Sequence, residues 1–255
     1  MISARHGIIL DIARQFGRVT VEELAARFEV TPQTIRKDLN DLCDRNLLAR
    51  VHGGAVLSTA IHNVGYEARR TLAEAEKAEI GRAAAALIPN SASLFINIGT
   101  TTEAVARALV HHANLMVVTN NINVANILRP CQSIEVVIAG GLVRPADGGI
   151  VGEAAVDFIR QFRVDFAIIG TSAIDEDGAL LDFDFREVKV AQAIIENARS
   201  SILVADSSKF DRAAPVRMAH LAQIDTFVTD RCDSDRIRQI ATENDVHLIE
   251  TGKAG

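Results

Sequence analysis

The chain has 255 residues, of which 48% are hydrophobic and 24% are charged, and this composition excludes a disordered or fibrous protein. The length allows two domains. The net charge of -6 at pH 7 argues against a nucleic-acid partner, but residues 1–60 hold eight Lys/Arg and seven Asp/Glu, and the remainder holds 19 and 26. The balances are therefore +1 and -7, so any affinity for DNA must come from the local placement of cations in the first segment.

The cysteines and the apolar runs limit where in the cell the protein can be expected. Cys43, Cys131 and Cys232 stand far apart, without the spacing of paired ligands, which predicts neither disulfides nor a metal site. The N-terminus lacks a signal-peptide core, and no apolar run approaches the ~20 residues that cross a bilayer. We expect a cytoplasmic protein with no membrane partner and no cofactor.

Two short helices are predicted before residue 30. The first ends near Gly17, and its apolar stripe at helical spacing consists of Ile8, Ile9, Ile12 and Phe16. The second begins after Thr20, because Thr20 and Glu23 have the spacing of a capping box. Only Glu29 and Val30 then precede Thr31, where a third helix starts, so the turn between these two helices is tight.

The third helix, residues 31–42, is the predicted DNA-recognition helix. Thr31 can cap the free amides, and Pro32 suits the first helical position. Ile35, Leu39 and Leu42 form an apolar stripe, and the opposite face carries amide and cationic groups that can reach bases and phosphates. An ordinary solvated face is the alternative for this helix alone. The residues expected to contact DNA here are Thr31, Gln33, Thr34, Arg36, Lys37 and Asn40.

Two short apolar runs around Gly53 and Gly54 follow, and this pattern is typical of a hairpin. The hairpin would form a wing, with Arg50 and His52 near its tip and available to phosphates. Three helices and a wing within about sixty residues predict a winged helix-turn-helix domain at residues 1–57. Residues 58–72 are predicted to be a linker, although strong helix formers start at Tyr66 and continue to Ile88.

Residues 73–255 alternate apolar runs with amphipathic segments. Continuous apolar runs are typical of strands that are buried on both faces, so they predict an α/β domain with a mainly parallel sheet. The runs are 94–98, 115–118, 134–139, 166–169, 202–205, 226–228 and 246–249.

Small and polar residues follow these predicted strands, where ligands of open α/β sheets bind. Gly99 and three threonines lead into a helix whose amides and positive dipole end suit a phosphate. Lys209 would supply the counter-charge, Arg144 could join it, and Asp175 could accept hydroxyl groups of a polyol. The alternative is that the threonines only cap a helix and the cations are solvated. The expected effector-binding residues are Gly99, Thr100, Thr101, Thr102, Asn120, Gly140, Gly141, Arg144, Thr171, Asp175 and Lys209.

Several runs resemble the DeoR family of bacterial repressors. In the first segment these are Glu22-Glu23-Leu24-Ala25 and residues 34–39 and 50–55; further on, residues 95–101, 119–126, 147–154 and 194–197 are similar to members that respond to glycerol 3-phosphate. The resemblance covers residues 1 to about 230. It implies a sensor domain with a fold similar to ribose-5-phosphate isomerase, and a repressor released from operator DNA by a phosphorylated polyol, first of all glycerol 3-phosphate.

Three positions depart from the family's usual pattern: Asn97 replaces an Asp, Leu142 a Glu, and Lys37 a second Arg. Lys37 keeps its charge but lacks the planar fork, so it suits phosphate better than guanine. One alternative function is a sugar-phosphate isomerase, with Asp175 or Asp182 and Lys209 as base and acid; another is a repressor that responds to a different sugar phosphate. Because one winged helix offers a small DNA interface, we expect a homodimer or homotetramer.

Overall fold

The computed structural model of the chain describes residues 4–16, 18–45, 47–51, 53–57, 66–210 and 212–252. These residues form two units, Met1–Leu72 and Ala73–Gly255. No helix in the described ranges is long and apolar enough to cross a membrane.

The first unit has the predicted helices and hairpin, with one additional strand that the sequence did not predict. Its antiparallel sheet has the order β1-β3-β2. The elements are α1 (Ala4–Phe16), β1 (Arg18–Thr20), α2 (Val21–Phe28), α3 (Pro32–Asp44), β2 (Leu48–Val51), β3 (Gly54–Leu57) and α4 (Tyr66–Thr71).

Caps define the turn between α2 and α3. The Thr20 hydroxyl accepts the Glu23 amide at 3.2 Å at the start of α2, and Glu29 ends that helix in the left-handed region at φ 53°. The Thr31 hydroxyl accepts the Thr34 amide at 3.3 Å and opens α3. The apolar stripe of α3, including Ile35, is fully buried, so its polar face is turned outward.

The two glycines of the hairpin have different reasons to be glycine. Gly53 adopts φ +77°, which only glycine reaches without strain. A Cβ on Gly54 would lie 2.0 Å from the Val19 carbonyl oxygen, because β1 and β3 pair there. The Gly-Gly pair therefore serves both the hairpin turn and the added strand.

The second unit is an α/β domain. Its helices are α5 (Glu74–Ala86), α6 (Thr100–Ala108), α7 (Ile122–Leu128), α8 (Glu153–Ile159), α9 (Phe185–Glu196) and α10 (Asp235–Glu243). Its strands are β4 (Ser93–Ile96), β5 (Leu115–Thr119), β6 (Ile134–Ile138), β7 (Leu142–Val143), β8 (Ile150–Val151), β9 (Val164–Ile169), β10 (Ala173–Ile174), β11 (Ala179–Asp182), β12 (Ala198–Val204), β13 (Val216–His220), β14 (Thr226–Thr229) and β15 (His247–Glu250).

The main sheet has seven strands in the order β15-β14-β12-β9-β4-β5-β6, and all of its pairings are parallel. These are the seven strands predicted from the apolar runs. Alternate side chains of each strand enter opposite cores: Leu94 packs in the core with α5, α6 and α7, while Phe95 packs in the core with α8, α9 and α10. Burial on both faces explains the continuous apolar runs of inner strands such as β4.

The structure corrects the sequence reading in two places. The helix formers at 66–88 do not make one helix, because α4 and α5 are separated at Ala73, which adopts φ 51°; α4 thus lies within the predicted linker. A small antiparallel sheet of order β10-β11-β13 and a two-stranded β7-β8 hairpin were not predicted. The strands β7, β8 and β10 have only two residues each, which is too few to show an alternation.

Candidate functional site

The order of the main sheet places its crevice between β4 and β9. From β4 the chain proceeds to β5 and β6 on one side, and then returns to β9 on the other side of β4. This reversal is a topological switch point, and the carboxyl ends of the strands beside it form the usual ligand site of such sheets. The loops after β5, β4, β9 and β12 therefore share one edge of the sheet.

The loop after β4 places the N-terminus of α6, which has no side-chain cap, at this edge. Gly99 precedes α6 with φ +150°, and no side chain caps the helix. The Thr102 hydroxyl instead donates to the carbonyl oxygens of Asn97 and Gly99, both at 2.8 Å. Thr100 and Thr101 are buried in the first turn. Since the first amides of a helix have no intrahelical partner, this turn is suited to an anion.

The neighbouring loops contribute polar groups of two kinds. Asn120, after β5, is fully buried and its Nδ2 donates to the Ile150 carbonyl at 3.1 Å. Thr171, after β9, is buried, but its hydroxyl bonds the carbonyl oxygens of Ala173 and Leu181, both at 2.9 Å. The Thr171 hydroxyl thus serves the fold, whereas the Asn120 side chain keeps an oxygen for other partners.

Two buried lysines flank a buried carboxylate at the β12 end of this edge. Asp206 follows β12, and Lys77 Nζ on α5 stands 4.0 Å from its Oδ2. Burial alone would raise the pKa of Asp206, but the charges of Lys209 and Lys77 hold it below its ordinary value. Lys209 was predicted from sequence and Lys77 was missed. A signal existed, because Lys77 shares one helix face with the buried Ile80 and Gly81.

Three buried oxygens at this edge have no hydrogen-bond donor among the residues that the structure describes. They are Asn97 Oδ1, Asn120 Oδ1 and Asp206 Oδ2, and their residues are at most 1% exposed. Buried acceptors without donors are rare because each loses its hydration without a replacement. Such oxygens in a crevice are suited to the hydroxyl groups of a ligand.

Arg144, which was predicted to join Lys209 in binding phosphate, is instead paired with acidic side chains. It follows β7, and its guanidinium contacts Asp147 at 2.7 Å, Asp184 at 3.1 Å and Glu187 at 2.6 Å. Burial would lower the pKa of Arg144, but Asp147 and Glu187 raise it. Burial, together with the charge of Asp182, raises the pKa of Glu187 to about 8 against the pull of Arg144, which shares its charge among three acids.

The remaining predicted positions, Gly140, Gly141 and Asp175, are exposed. Gly140 and Gly141 are exposed after β6. Asp175 is exposed in the β10–β11 turn, where the Leu221 amide donates to the Gly178 carbonyl at 2.8 Å. Leu221 precedes β14, so this turn reaches toward the amino end of that strand. The structure therefore does not bring Asp175 to the carboxyl edge, and we do not retain it in the proposed site.

In the first unit, α3 presents the predicted polar face. Gln33, Arg36, Lys37 and Asn40 are exposed, and Thr34 is half-buried with its hydroxyl 2.9 Å from that of Thr31. Arg50 lies in β2, and the predicted His52 lies outside the described residues. This exposed face is the candidate DNA interface.

An ion pair that the sequence did not reveal ties α1 to the inner face of α3. Asp38 is buried and accepts from Arg5 Nε at 2.7 Å and lies 3.1 Å from His6 Nε2. Burial alone would raise the pKa of Asp38, but its bonds to Arg5 and His6 hold it below its ordinary value. The recognition helix is thereby fixed by a charged contact as well as by its apolar stripe.

Two family models match this chain. The DeoR-like helix-turn-helix domain matches residues 5–60, and the DeoR C-terminal sensor domain matches residues 72–231. Together they span both structural units.

Curated relatives match over nearly the whole length. The glycerol-3-phosphate regulon repressor of Escherichia coli K12 is 48% identical over 244 residues, which are 96% of this chain and 97% of the relative. That of Haemophilus influenzae is 51% identical over 227 residues, 89% of each chain. An HTH-type transcriptional repressor of Bacillus subtilis, GlcR, is 31% identical over 244 residues, 95% of this chain and 94% of the relative.

Solved structures resemble part of the chain at low identity. Ribose-5-phosphate isomerase A from Methanocaldococcus jannaschii has a TM-score of 0.41 and 14% identity, covering 54% of this chain and 55% of that one. The enzyme from Neisseria gonorrhoeae has a TM-score of 0.38 and 13% identity, covering 52% of each chain. At these values the likeness carries no argument about function.

Proposed function

This chain belongs to the DeoR family of transcriptional regulators, and from that premise we propose that it is a bacterial repressor of glycerol 3-phosphate metabolism. Its winged helix-turn-helix unit binds operator DNA, and its sensor domain binds glycerol 3-phosphate and thereby releases the DNA. It acts in the cytoplasm as a homodimer or homotetramer and has no enzymatic activity.

The observation that carries the effector proposal is the convergence of unpaired acceptors and buried cations at one sheet edge. Asn97 Oδ1 and Asn120 Oδ1 lack donors, and the hydroxyl groups of a polyol are donors that would satisfy them. Lys77 and Lys209 are buried and act on Asp206, at the same edge of the sheet as the first turn of α6. A phosphate at this edge would meet cationic charge and the amides of that turn.

The order of the strands suggests how the ligand is oriented along the sheet edge. Neighbouring strands lie about 4.8 Å apart, so the edge from Asn120 on β5 to Asp206 on β12 spans three intervals, or roughly 14 Å. In this arrangement the phosphate lies toward Lys77 and Lys209, and the hydroxyl groups lie toward Asn97 and Asn120. The charges of these two lysines act on Asp206 and lower its pKa.

The DNA-binding half of the proposal rests on the exposed face of α3. A recognition helix of this kind enters the major groove with its exposed side chains. Arg36 is suited to guanine, since its fork can make two hydrogen bonds to one base, and Lys37 is suited to phosphate. Gln33 and Asn40 extend the same face.

The isomerase alternative lacks support from the geometry. An isomerase needs a base within hydrogen-bond reach of its substrate. Asp175 lies in an exposed turn away from the edge, and Asp182 Oδ1 already accepts from the Ser172 hydroxyl at 3.1 Å and the Phe183 amide at 2.7 Å. We therefore assign the crevice to binding.

Thermal unfolding with a panel of phosphorylated polyols and sugars tests the effector. At a hundred times its dissociation constant, a ligand stabilises the fold by about 2.7 kcal/mol, so glycerol 3-phosphate should raise the melting temperature more than ribose 5-phosphate or free glycerol. Analysis of the same mixtures for isomerised products tests the enzyme alternative. A preference for another sugar phosphate would contradict the effector assignment while leaving the repressor assignment standing.

Linkage tests the switch itself. If effector binding weakens operator binding by some factor, operator must weaken effector binding by the same factor, typically about 5 to 150-fold. Glycerol 3-phosphate is titrated into protein alone and into protein saturated with operator. Equal affinities in the two titrations would contradict release by this effector.

A further inference from the structure

The β7–β8 hairpin forms one wall of the effector crevice. The Ile150 amide donates to the Asn120 carbonyl at 2.7 Å, and the Asn120 side chain donates back to the Ile150 carbonyl at 3.1 Å. Gly149 lies so close to Ile98 that an added Cβ would stand 2.6 Å from its Cδ1. The hairpin thus holds the loop after β5 and touches the loop after β4.

Arg144 fixes the turn of this hairpin. Its backbone amide donates to the Gly149 carbonyl at 2.7 Å, and its carbonyl accepts the Gly148 amide at 2.9 Å. Its side chain donates to both oxygens of Asp147, at 2.9 and 2.7 Å. Asp147 Oδ1 in turn accepts the Gly149 amide at 3.2 Å. Gly149 and Ile150, which contact Ile98 and Asn120, are therefore held in place through the Arg144 guanidinium.

The other side of the same guanidinium is anchored to the start of α9. Arg144 Nη1 donates to Asp184 at 3.1 Å, and Nη2 donates to Glu187 at 2.6 Å. Asp184 is the cap of α9 and accepts the Arg186 amide at 3.0 Å. The side chains of Arg144, Asp147 and Glu187 are 17%, 3% and 10% exposed. A planar guanidinium with five donors is suited to contacting three acidic side chains at once.

We propose that Arg144 is a positioning residue of the effector site. It does not bind the phosphate; it fixes the hairpin on α9 so that Asn120 and the loop after β4 keep the geometry that accepts the effector. This inference rests on the proposed function. It assigns Arg144 a different role from the phosphate contact that its charge alone predicts.

Substitutions separate geometry from charge. Arg144→Lys keeps the positive charge but loses the planar guanidinium, and Arg144→Gln removes both. Arg186→Gln is the matched control, because Arg186 also bonds Asp184, at 2.9 Å, yet is not bonded to the hairpin in the contacts described above. Asp184→Asn removes the negative charge of one of the three partners and serves if the Arg144 variants do not fold. Affinity for glycerol 3-phosphate is measured by calorimetry, operator affinity by fluorescence anisotropy, and folding by thermal unfolding.

We expect Arg144→Lys and Arg144→Gln to weaken effector binding alike, by roughly 10- to 100-fold, as for other groups that orient a ligand-binding side chain. Asp184→Asn should weaken it less, Arg186→Gln should not, and operator affinity should stay unchanged. Wild-type affinity in Arg144→Lys with a loss in Arg144→Gln would show a role for charge and overturn the proposal, as would wild-type affinity in all variants. If the wild-type protein itself does not bind glycerol 3-phosphate, the proposed function fails, and this inference with it.

Discussion

Replacing Gly81 by alanine tests how closely the first two helices of the sensor domain must approach. Gly81 lies in the middle of α5, and an added Cβ would stand 2.7 Å from the carbonyl carbon and oxygen of Ala104 in α6. These are backbone atoms, so no side-chain rotation relieves the overlap. Ordinary contact begins near 3.4 Å, and the two helices would have to separate by about 0.7 Å.

Two opposing effects set the magnitude. Alanine gains about 1 kcal/mol of helix propensity over glycine. Forcing extra volume into a close-packed contact costs about 1 to 3 kcal/mol, and an overlap with backbone falls in the upper part of that range. We therefore expect Gly81→Ala to lower the free energy of unfolding of the sensor domain by about 1 to 2 kcal/mol.

Gly7 provides the matched control, because it also lies inside a helix and nothing approaches within 4 Å of its would-be Cβ. Gly7→Ala should raise the free energy of unfolding by about 0.5 to 1 kcal/mol. Urea unfolding followed by circular dichroism measures both. Gly81→Ala should also weaken effector binding, since Lys77 lies one turn before it on the same face of α5. A Gly81→Ala protein that gains stability as Gly7→Ala does would refute the close approach.

Further predictions concern the DNA-binding face of α3, the effector site and the ion pair of Asp38. Arg36→Ala should weaken operator binding by about 1 to 3 kcal/mol and relax base discrimination, whereas Lys37→Ala should weaken binding to all sequences and flatten its salt dependence; unchanged binding of both variants in gel-shift assays would contradict the assignment of α3. Lys209→Ala and Thr101→Val should leave operator affinity intact but prevent release by glycerol 3-phosphate, and a normally inducible reporter strain would contradict this. Because the pKa of Asp38 is lowered in the folded state, its stabilisation is present above the ordinary aspartate pKa and is lost as the pH falls through the folded value. The urea midpoints of wild type and Asp38→Asn should therefore converge in acid, and a constant difference across pH would contradict the ion pair.

The sequence predicts the main sheet well and the fine placement of its loops poorly. Its inner strands are buried on both faces, so they appear as apolar runs such as 94–98, whereas the edge strands β6 and β15 are partly exposed. Helix α3 was equally easy to predict from the sequence, since Thr31 and Pro32 mark its start. The antiparallel strand β10 has only two residues, which leaves no pattern to recognise, and its hairpin with β11 is what carries Asp175 away from the carboxyl edge.

Charged side chains were the harder problem, because their partners are distant in sequence. Arg144 looks like a free cation after two glycines, but its partners Asp184 and Glu187 lie 40 and 43 residues further on. Lys77 looks like one more lysine on a helix until Asp206, from a different strand, is placed beside it. Only the tertiary fold decides whether such a charge is available to a ligand.

Helix α4, the last element of the first unit, contains an intrinsic fluorophore. The chain has no tryptophan and one tyrosine, and that tyrosine is Tyr66, half-buried at the start of α4. The Arg70 guanidinium carbon stands 5.9 Å from the centre of its ring, a distance at which the cation acts on the ring's π system. Ultraviolet emission from the native, unlabelled protein therefore originates almost entirely from this one position. A change in its intensity or lifetime during an effector titration without DNA would report events in α4, the last helix of the first unit, with no dye and no substitution.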